Sequence, residues 1–219
     1  MVRVDDSDDV TKCWLSPDEL NRLERTAGEG GWEREVAVQL MGRCGLRASE
    51  VGYPSDSNLR YSDDGDIWLF EVQGKNTKGG SKKTRDVWMP DAVADDIHKY
   101  SRERGLNLSD PWVEASTPSV RRWVKEAAHA VAEQTDDPRW QSVSSHDLRR
   151  SWATYHLVER QADVRTMMSI GGWSDYSAIE PYLASRLRHV SERRCRHSAP
   201  GGCHRTIHEG LISIRNWDE

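Results

Sequence analysis

β pattern in this chain is confined to one stretch, and that confinement limits the folds open to it. Asn58 to Tyr61 is followed by the turn run Asp63-Asp64-Gly65-Asp66 and then by Ile67-Trp68-Leu69-Phe70-Glu71-Val72. A Gly/Lys-rich tip, Gly74 to Ser81, leads to a third run from Thr84 to Met89, closed by Pro90. Aromatic and β-branched runs separated by Asp/Gly turns read as consecutive antiparallel strands. Three such strands make a small sheet, too few for a sandwich or barrel, and no βαβ alternation calls for a parallel one. The expected class is therefore α+β, mostly helical with a small three-stranded antiparallel sheet.

The flanking sequence carries helix signals. Ser16-Pro17-Asp18-Glu19 combines a cap, a proline at the first helical position and the acid of a capping box. Leu20 and Leu23 continue its apolar stripe, and Gly28, Gly30 and Gly31 end it. A second helix is expected from Trp32 to Gly45, and a short one through Ser49-Glu50-Val51 that stops before Pro54. After the sheet, helices are expected from Pro90 to about Arg104 and from Thr117-Pro118 through Val131. Another, capped by Ser145, runs to about Glu159, and a short one opens at Asp163 and stops at Gly171-Gly172. A last helix, capped by Ser174, carries Tyr182, and Pro181 should kink or interrupt it. Residues 1–15 read as an acidic, mobile lead, 16–192 as the folded domain, and 193–219 as a tail.

Composition excludes several classes. With 36% hydrophobic residues, 10 Trp and 6 Tyr, the chain can build a core despite 31% charged residues. No apolar run approaches the ~18 residues of a membrane span, and Met1-Val2-Arg3-Val4-Asp5-Asp6 lacks a signal-peptide pattern. A cytoplasmic chain with no membrane partner is the expectation. The four cysteines are widely spaced, which fits reduced thiols. The tail group Cys195, His197, Cys203, His204 and His208 does not have the spacing of a common zinc module, so no metal is expected.

The net charge of −5 argues against a polyanionic partner until its distribution is considered. Four Asp among the first ten residues make the start acidic. Lys75, Lys78, Lys82, Lys83 and Arg85 crowd the hairpin, and five Arg lie between Arg186 and Arg196. Charge acts locally, within ~10 Å at moderate salt, so such patches can hold phosphate.

Four clusters carry candidate chemistry. In Ser145-His146-Asp147-Leu148-Arg149-Arg150, His146 and Arg149 share a helix face. A guanidinium can fork onto two phosphate oxygens while the imidazole moves a proton. A capped helix start with exposed polar residues is the plainer reading of that hexapeptide alone. Gly45-Leu46-Arg47-Ala48-Ser49-Glu50 sets an arginine beside a helix start, where anions are favoured; taken singly, such an arginine is more often a surface or salt-bridging residue. The hairpin lysines can reach a bound polyanion or simply be solvated. Gly172-Trp173-Ser174, with Tyr182 nine residues beyond Trp173, offers an indole to a sugar-phosphate backbone and a phenol that nearby guanidinium groups could turn into a nucleophile.

The ordered set of Gly-Leu-Arg-x-Ser-Glu at 45–50, a lysine hairpin, His-x-Leu-Arg at 146–149, then Gly-Trp-Ser and Tyr182 resembles the tyrosine recombinase or phage integrase family over roughly residues 16–192. The resemblance implies that Arg47 and Arg149 clamp a scissile phosphate and that His146 serves as acid or base. Trp173 would stand where many relatives carry a second histidine, and Tyr182 would be the nucleophile, with Glu50 orienting. Lys75 would be the hairpin lysine, with Lys78 its rival. Lys78, Lys82, Lys83, Arg85, Arg121, Arg122 and Arg150 are the expected DNA contacts. The implied reaction is metal-free, cofactor-free cleavage and rejoining of double-stranded DNA through a 3′-phosphotyrosine, by a homo-oligomer assembled through the tail. A non-catalytic DNA-binding remnant and a type IB topoisomerase-like relaxing enzyme are the alternatives.

Overall fold

The structure, a computed structural model, describes residues 2–5, 11–74 and 84–183. The elements run β1 (Arg3–Asp5), β2 (Lys12–Trp14), α1 (Pro17–Glu29), α2 (Trp32–Gly42), β3 (Leu59–Ser62), β4 (Ile67–Gln73), β5 (Thr84–Met89), α3 (Asp91–Arg104), α4 (Thr117–Thr135), α5 (Ser145–Thr154) and α6 (Val164–Gly171). As expected, β3, β4 and β5 form one antiparallel sheet in that order, with Phe70 opposite both Leu59 and Val87.

Helix α2 lies at the centre. All its residues from Val36 to Gly42 are buried, with α1, α4 and α5 packed around it. Ser16 and Glu19 form the expected capping box: the Glu19 carboxylate accepts from Ser16 N at 2.8 Å and Oγ at 2.9 Å. A second apolar cluster, built on Trp152, Ala153, Leu157, Met167 and Ile179, lies under α6 and the segment leading to Tyr182. Helix α5 joins the two, with Leu148 in the main core and Trp152 in the second cluster. One rigid helix is therefore gripped on both sides.

Four expectations change. Residues 49–51 form turns rather than a helix. The cap of α5 is Ser144, not Ser145: Asp147 Oδ2 accepts from Ser144 N at 2.9 Å, a box that Ser145 is one position too late to close. Asp175 caps the 3-10 turn Tyr176–Ala178 in place of Ser174, and helical residues resume at 180. Pro181 thus sits in a first turn, where its missing N–H breaks no bond.

The fourth concerns the start of the chain. Residues read as a mobile lead hold the β1–β2 pair, with Val4 opposite Cys13. Backbone and side chain tie it to α5: Cys13 N donates to Asp147 Oδ1 (3.0 Å), Leu15 N to Ser151 Oγ (2.8 Å) and Trp14 Nε1 to Thr154 Oγ1 (3.1 Å). Strands of three residues are too short to show alternation, which is why the sequence alone read as a loose acidic segment.

Candidate active site

Three arginines meet at the end of α6. Ile170 O accepts from Arg85 Nε at 3.0 Å, Gly171 O accepts from Arg149 Nη2, and Gly172 O accepts from Arg47 Nη2 at 3.3 Å. The last carbonyls of a helix have no partner within it and carry the negative end of its dipole, so they attract cations. Here consecutive carbonyls take one guanidinium each, from β5, from α5 and from the turn after α2. Gly172 closes the helix at φ +66, a left-handed conformation suited to glycine.

Glu50 is the counter-charge within this group. Its Oε1 accepts from Arg47 Nη1 (2.8 Å) and Arg85 Nη1 (2.9 Å), and its Oε2 from Arg47 N (2.8 Å) and Arg85 Nη2 (3.0 Å). Burial by itself would push the Glu50 carboxyl up. The Arg85 fork, the Arg85 charge, and then the amide and charge of Arg47 outweigh burial and hold it below the ordinary carboxylate range.

Arg149 is the deepest of the cations, its surface only 1% exposed. Nη1 donates to Gly45 O, and the guanidinium carbon lies 4.3 Å from the centre of the Trp173 ring. Burial first, then the charge of Arg47, lowers its proton affinity, yet a guanidinium stays charged at neutral pH. Gly45 has φ +71, and a Cβ there would lie 2.4 Å from Trp152 Cε3. Only glycine allows that carbonyl to face Arg149 while its α-carbon rests on the indole. Trp152 stacks at 6.1 Å on Trp173, and Trp173 meets Tyr182 at 5.5 Å. Arg149 is thus roofed by Trp173, with Tyr182 half-buried beside it and close enough to interact electrostatically with both Arg149 and Arg150.

His146, at the exposed start of α5, is held below its ordinary pKa by partial desolvation and then by the charges of Arg150, Arg149 and Arg47. It is a neutral imidazole near pH 7, able to accept a proton.

The structure therefore gathers Arg47, Glu50, His146, Arg149, Trp173 and Tyr182. Lys75, Lys78, Lys82 and Lys83 lie outside the described residues, as does the tail with its cysteines and histidines. Arg121 and Arg122 are exposed on α4, with Arg122 facing Glu126 at 3.4 Å. Two expected DNA contacts are engaged within the protein. Arg85 has each of its three nitrogens engaged inside the protein, and Arg150 is bound to Asp147 and lies over the Trp14 ring, its side chain 12% exposed. Asp147 was missed as a site residue: it accepts from Ser144, Cys13 and Arg150 and so fixes the first turn that carries His146. The Ser144–Asp147 spacing of a capping box was the available signal.

A family model described as the phage integrase family matches residues 13–189. Tyrosine recombinase XerA of Pyrococcus furiosus is 24% identical over 179 residues, covering 81% of this chain and 59% of that protein. The chain spans between half and three-fifths of the length of the curated relatives it matches. The crystal structure of XerA recombinase superposes with a TM-score of 0.63 at 20% identity, over 83% of this chain and 64% of that one. The catalytic domain of bacteriophage HP1 integrase gives 0.55 at 19% identity, over 84% and 94%. A fold of that kind and a matching family model over most of the length lead to one assignment: the chain belongs to the phage integrase family.

Proposed function

We propose that this chain is the catalytic part of a site-specific DNA strand transferase that works through a 3′-phosphotyrosine. The observation that carries the reading is the convergence of Arg47, Arg149, Trp173 and Tyr182, from segments far apart in sequence, around the end of one short helix, with His146 within electrostatic reach of both arginines.

In this reading the scissile phosphate sits against Arg47, whose side chain is 31% exposed, and draws on Arg149 once the Trp173–Tyr182 roof shifts. The Tyr182 oxygen attacks phosphorus, forming the P–O(Tyr) bond as the P–O5′ bond breaks. The phenolic proton passes to neutral His146. The departing 5′-oxygen takes a proton from a hairpin lysine, Lys75 or its rival Lys78. Attack by another 5′-hydroxyl on the phosphotyrosine reverses every step, so the phosphodiester energy is retained and no nucleotide cofactor is required. Negative charge grows on the phosphate oxygens in the transition state, and fixed donors there are each worth about 10²–10³ in rate. Exposed Arg121 and Arg122 are proposed to add phosphate contacts, and residues 193–219 to join copies on DNA.

The test is a nicked suicide duplex that traps the covalent adduct. Wild type should form it. Tyr182→Phe should bind the duplex and trap none, and Arg149→Ala should bind but cleave at least about 10²-fold more slowly. An adduct surviving in Tyr182→Phe moves the nucleophile elsewhere, Tyr176 being the exposed candidate. A wild-type chain that binds but never forms adduct supports the non-catalytic reading instead.

A further inference from the structure

Arg85 reads in sequence as one more cation of the basic hairpin. The structure gives it different surroundings. Its side chain is only 11% exposed, and the carboxylate it meets, Glu50, is 4% exposed. The two make a parallel fork, Nη1 to Oε1 at 2.9 Å and Nη2 to Oε2 at 3.0 Å, and Nε turns the other way to Ile170 O at 3.0 Å. The backbone at Gly172 lies directly on the Arg85 stem: a Cβ there would stand 2.8 Å from Cδ. Each Glu50 oxygen that accepts from Arg85 accepts also from Arg47.

We propose that Arg85 is a positioning residue for strand cleavage. Through Glu50 it fixes the Arg47 guanidinium, and through Ile170 O it fixes the turn that carries Trp173. The proposal rests on the reading of Arg47 as a phosphate clamp. A carboxylate shared with a partly exposed arginine alone would lose its grip when a phosphate arrives, because the phosphate competes for the same guanidinium. Desolvation would also favour its protonated form. The Arg85 fork holds Glu50 ionised and in one rotamer from the buried side, so Arg47 keeps its orientation while its remaining N–H groups take the phosphate. A bidentate fork is also what a lysine cannot reproduce.

Single-turnover adduct formation on the nicked duplex, at saturating DNA and across pH, tests this with the full chain. Arg85→Met should cleave about 10²-fold more slowly, the scale of a misplaced catalytic group, with DNA affinity changed less than threefold. Its rate should go on climbing at pH values where wild type, following the deprotonation of His146, has already levelled off, as Glu50 ionises late. Arg85→Lys should recover part of the rate. Glu50→Gln should be slow with no such climb, and adding Arg85→Met to it should slow cleavage by far less than the product of the two single effects, the remainder being the Ile170 O contact. The proposal is overturned if Arg85→Met weakens binding while the saturated rate is unchanged, if the two substitutions multiply, or if the pH profile matches wild type. Should Arg85→Met fail to melt cooperatively, Arg85→Lys decides alone: an unchanged saturated rate and profile overturn the proposal, a slowed and pH-dependent rate supports it. Arg47→Ala is measured alongside. Wild-type cleavage by that variant sinks the phosphate-clamp reading itself, and a slow Arg47→Ala beside a normal Arg85→Met sinks only the role of Arg85.

Discussion

Gly45→Ala should damage both the fold and the arginine that the glycine faces. The residue sits at φ +71, where an L side chain costs about 1–2 kcal/mol. Its new Cβ would lie 2.4 Å from Trp152 Cε3, far inside contact distance, and Trp152 is buried in the second apolar cluster. Overpacking of that kind costs about 1–3 kcal/mol. The sum, about 2–5 kcal/mol, should lower the melting temperature by roughly 5–15 °C in a domain of this size. Relief requires the backbone to back away from the indole, which moves the carbonyl that receives Arg149 Nη1 and the chain two residues before Arg47. Shifts near 1 Å in such groups cost about 10²-fold in rate. Thermal melts, and single-turnover cleavage well below the melting point, measure the two effects separately. A melt within two degrees of wild type refutes the steric argument. A destabilised variant that still cleaves at the wild-type rate refutes the link between this carbonyl and the arginine.

Other expectations follow from buried groups. His156 packs against Trp88, Trp152 and Tyr155, and burial holds it down to about 4. The unfolded chain takes up that proton near pH 6.5, so the stability tied to the neutral ring is present above about 6.5 and is lost as pH falls toward 4, up to about 3 kcal/mol. His156→Phe should remove that part of the acid sensitivity in urea titrations at pH 7 and 4.5; an identical pH dependence contradicts it. Asp147→Asn places an NH₂ among four donors and should cost about 3 kcal/mol or more. It should also speed proteolysis around residues 11–15, and unchanged proteolysis argues against the pinning of β2. Burial pushes the Cys44 thiol strongly up, and Cys13 is equally enclosed. Native protein treated with iodoacetamide should therefore show both unmodified by mass spectrometry, with labelling only after denaturant is added.

The site residues that form recognisable words in the sequence were the legible ones. Gly-Leu-Arg-x-Ser-Glu and His-x-Leu-Arg place Arg47, Glu50, His146 and Arg149 by local spacing, and the structure brings those residues together. The sheet was legible for a similar reason, since its strands are long enough to show their turns. The pairing of Arg85 and Arg150 was not legible from charge alone, which does not tell a solvated cation from a paired one. Glu50 reaches Arg85 only through tertiary packing, 35 residues away in sequence, whereas Asp147 lies three residues before Arg150 on α5, a helical spacing that the sequence did carry. The acceptors at Gly45, Ile170, Gly171 and Gly172 are backbone atoms and carry no side-chain signature at all.

Arginines anchored to successive carbonyls of α6 also set the order in which the site is assembled. Arg47 leaves the ribosome long before α6 exists, and Tyr182 emerges after it. A chain whose α6 has not yet docked therefore has nothing to aim its arginines. If the proposed strand cleavage holds, cutting competence arrives only with that last docking event.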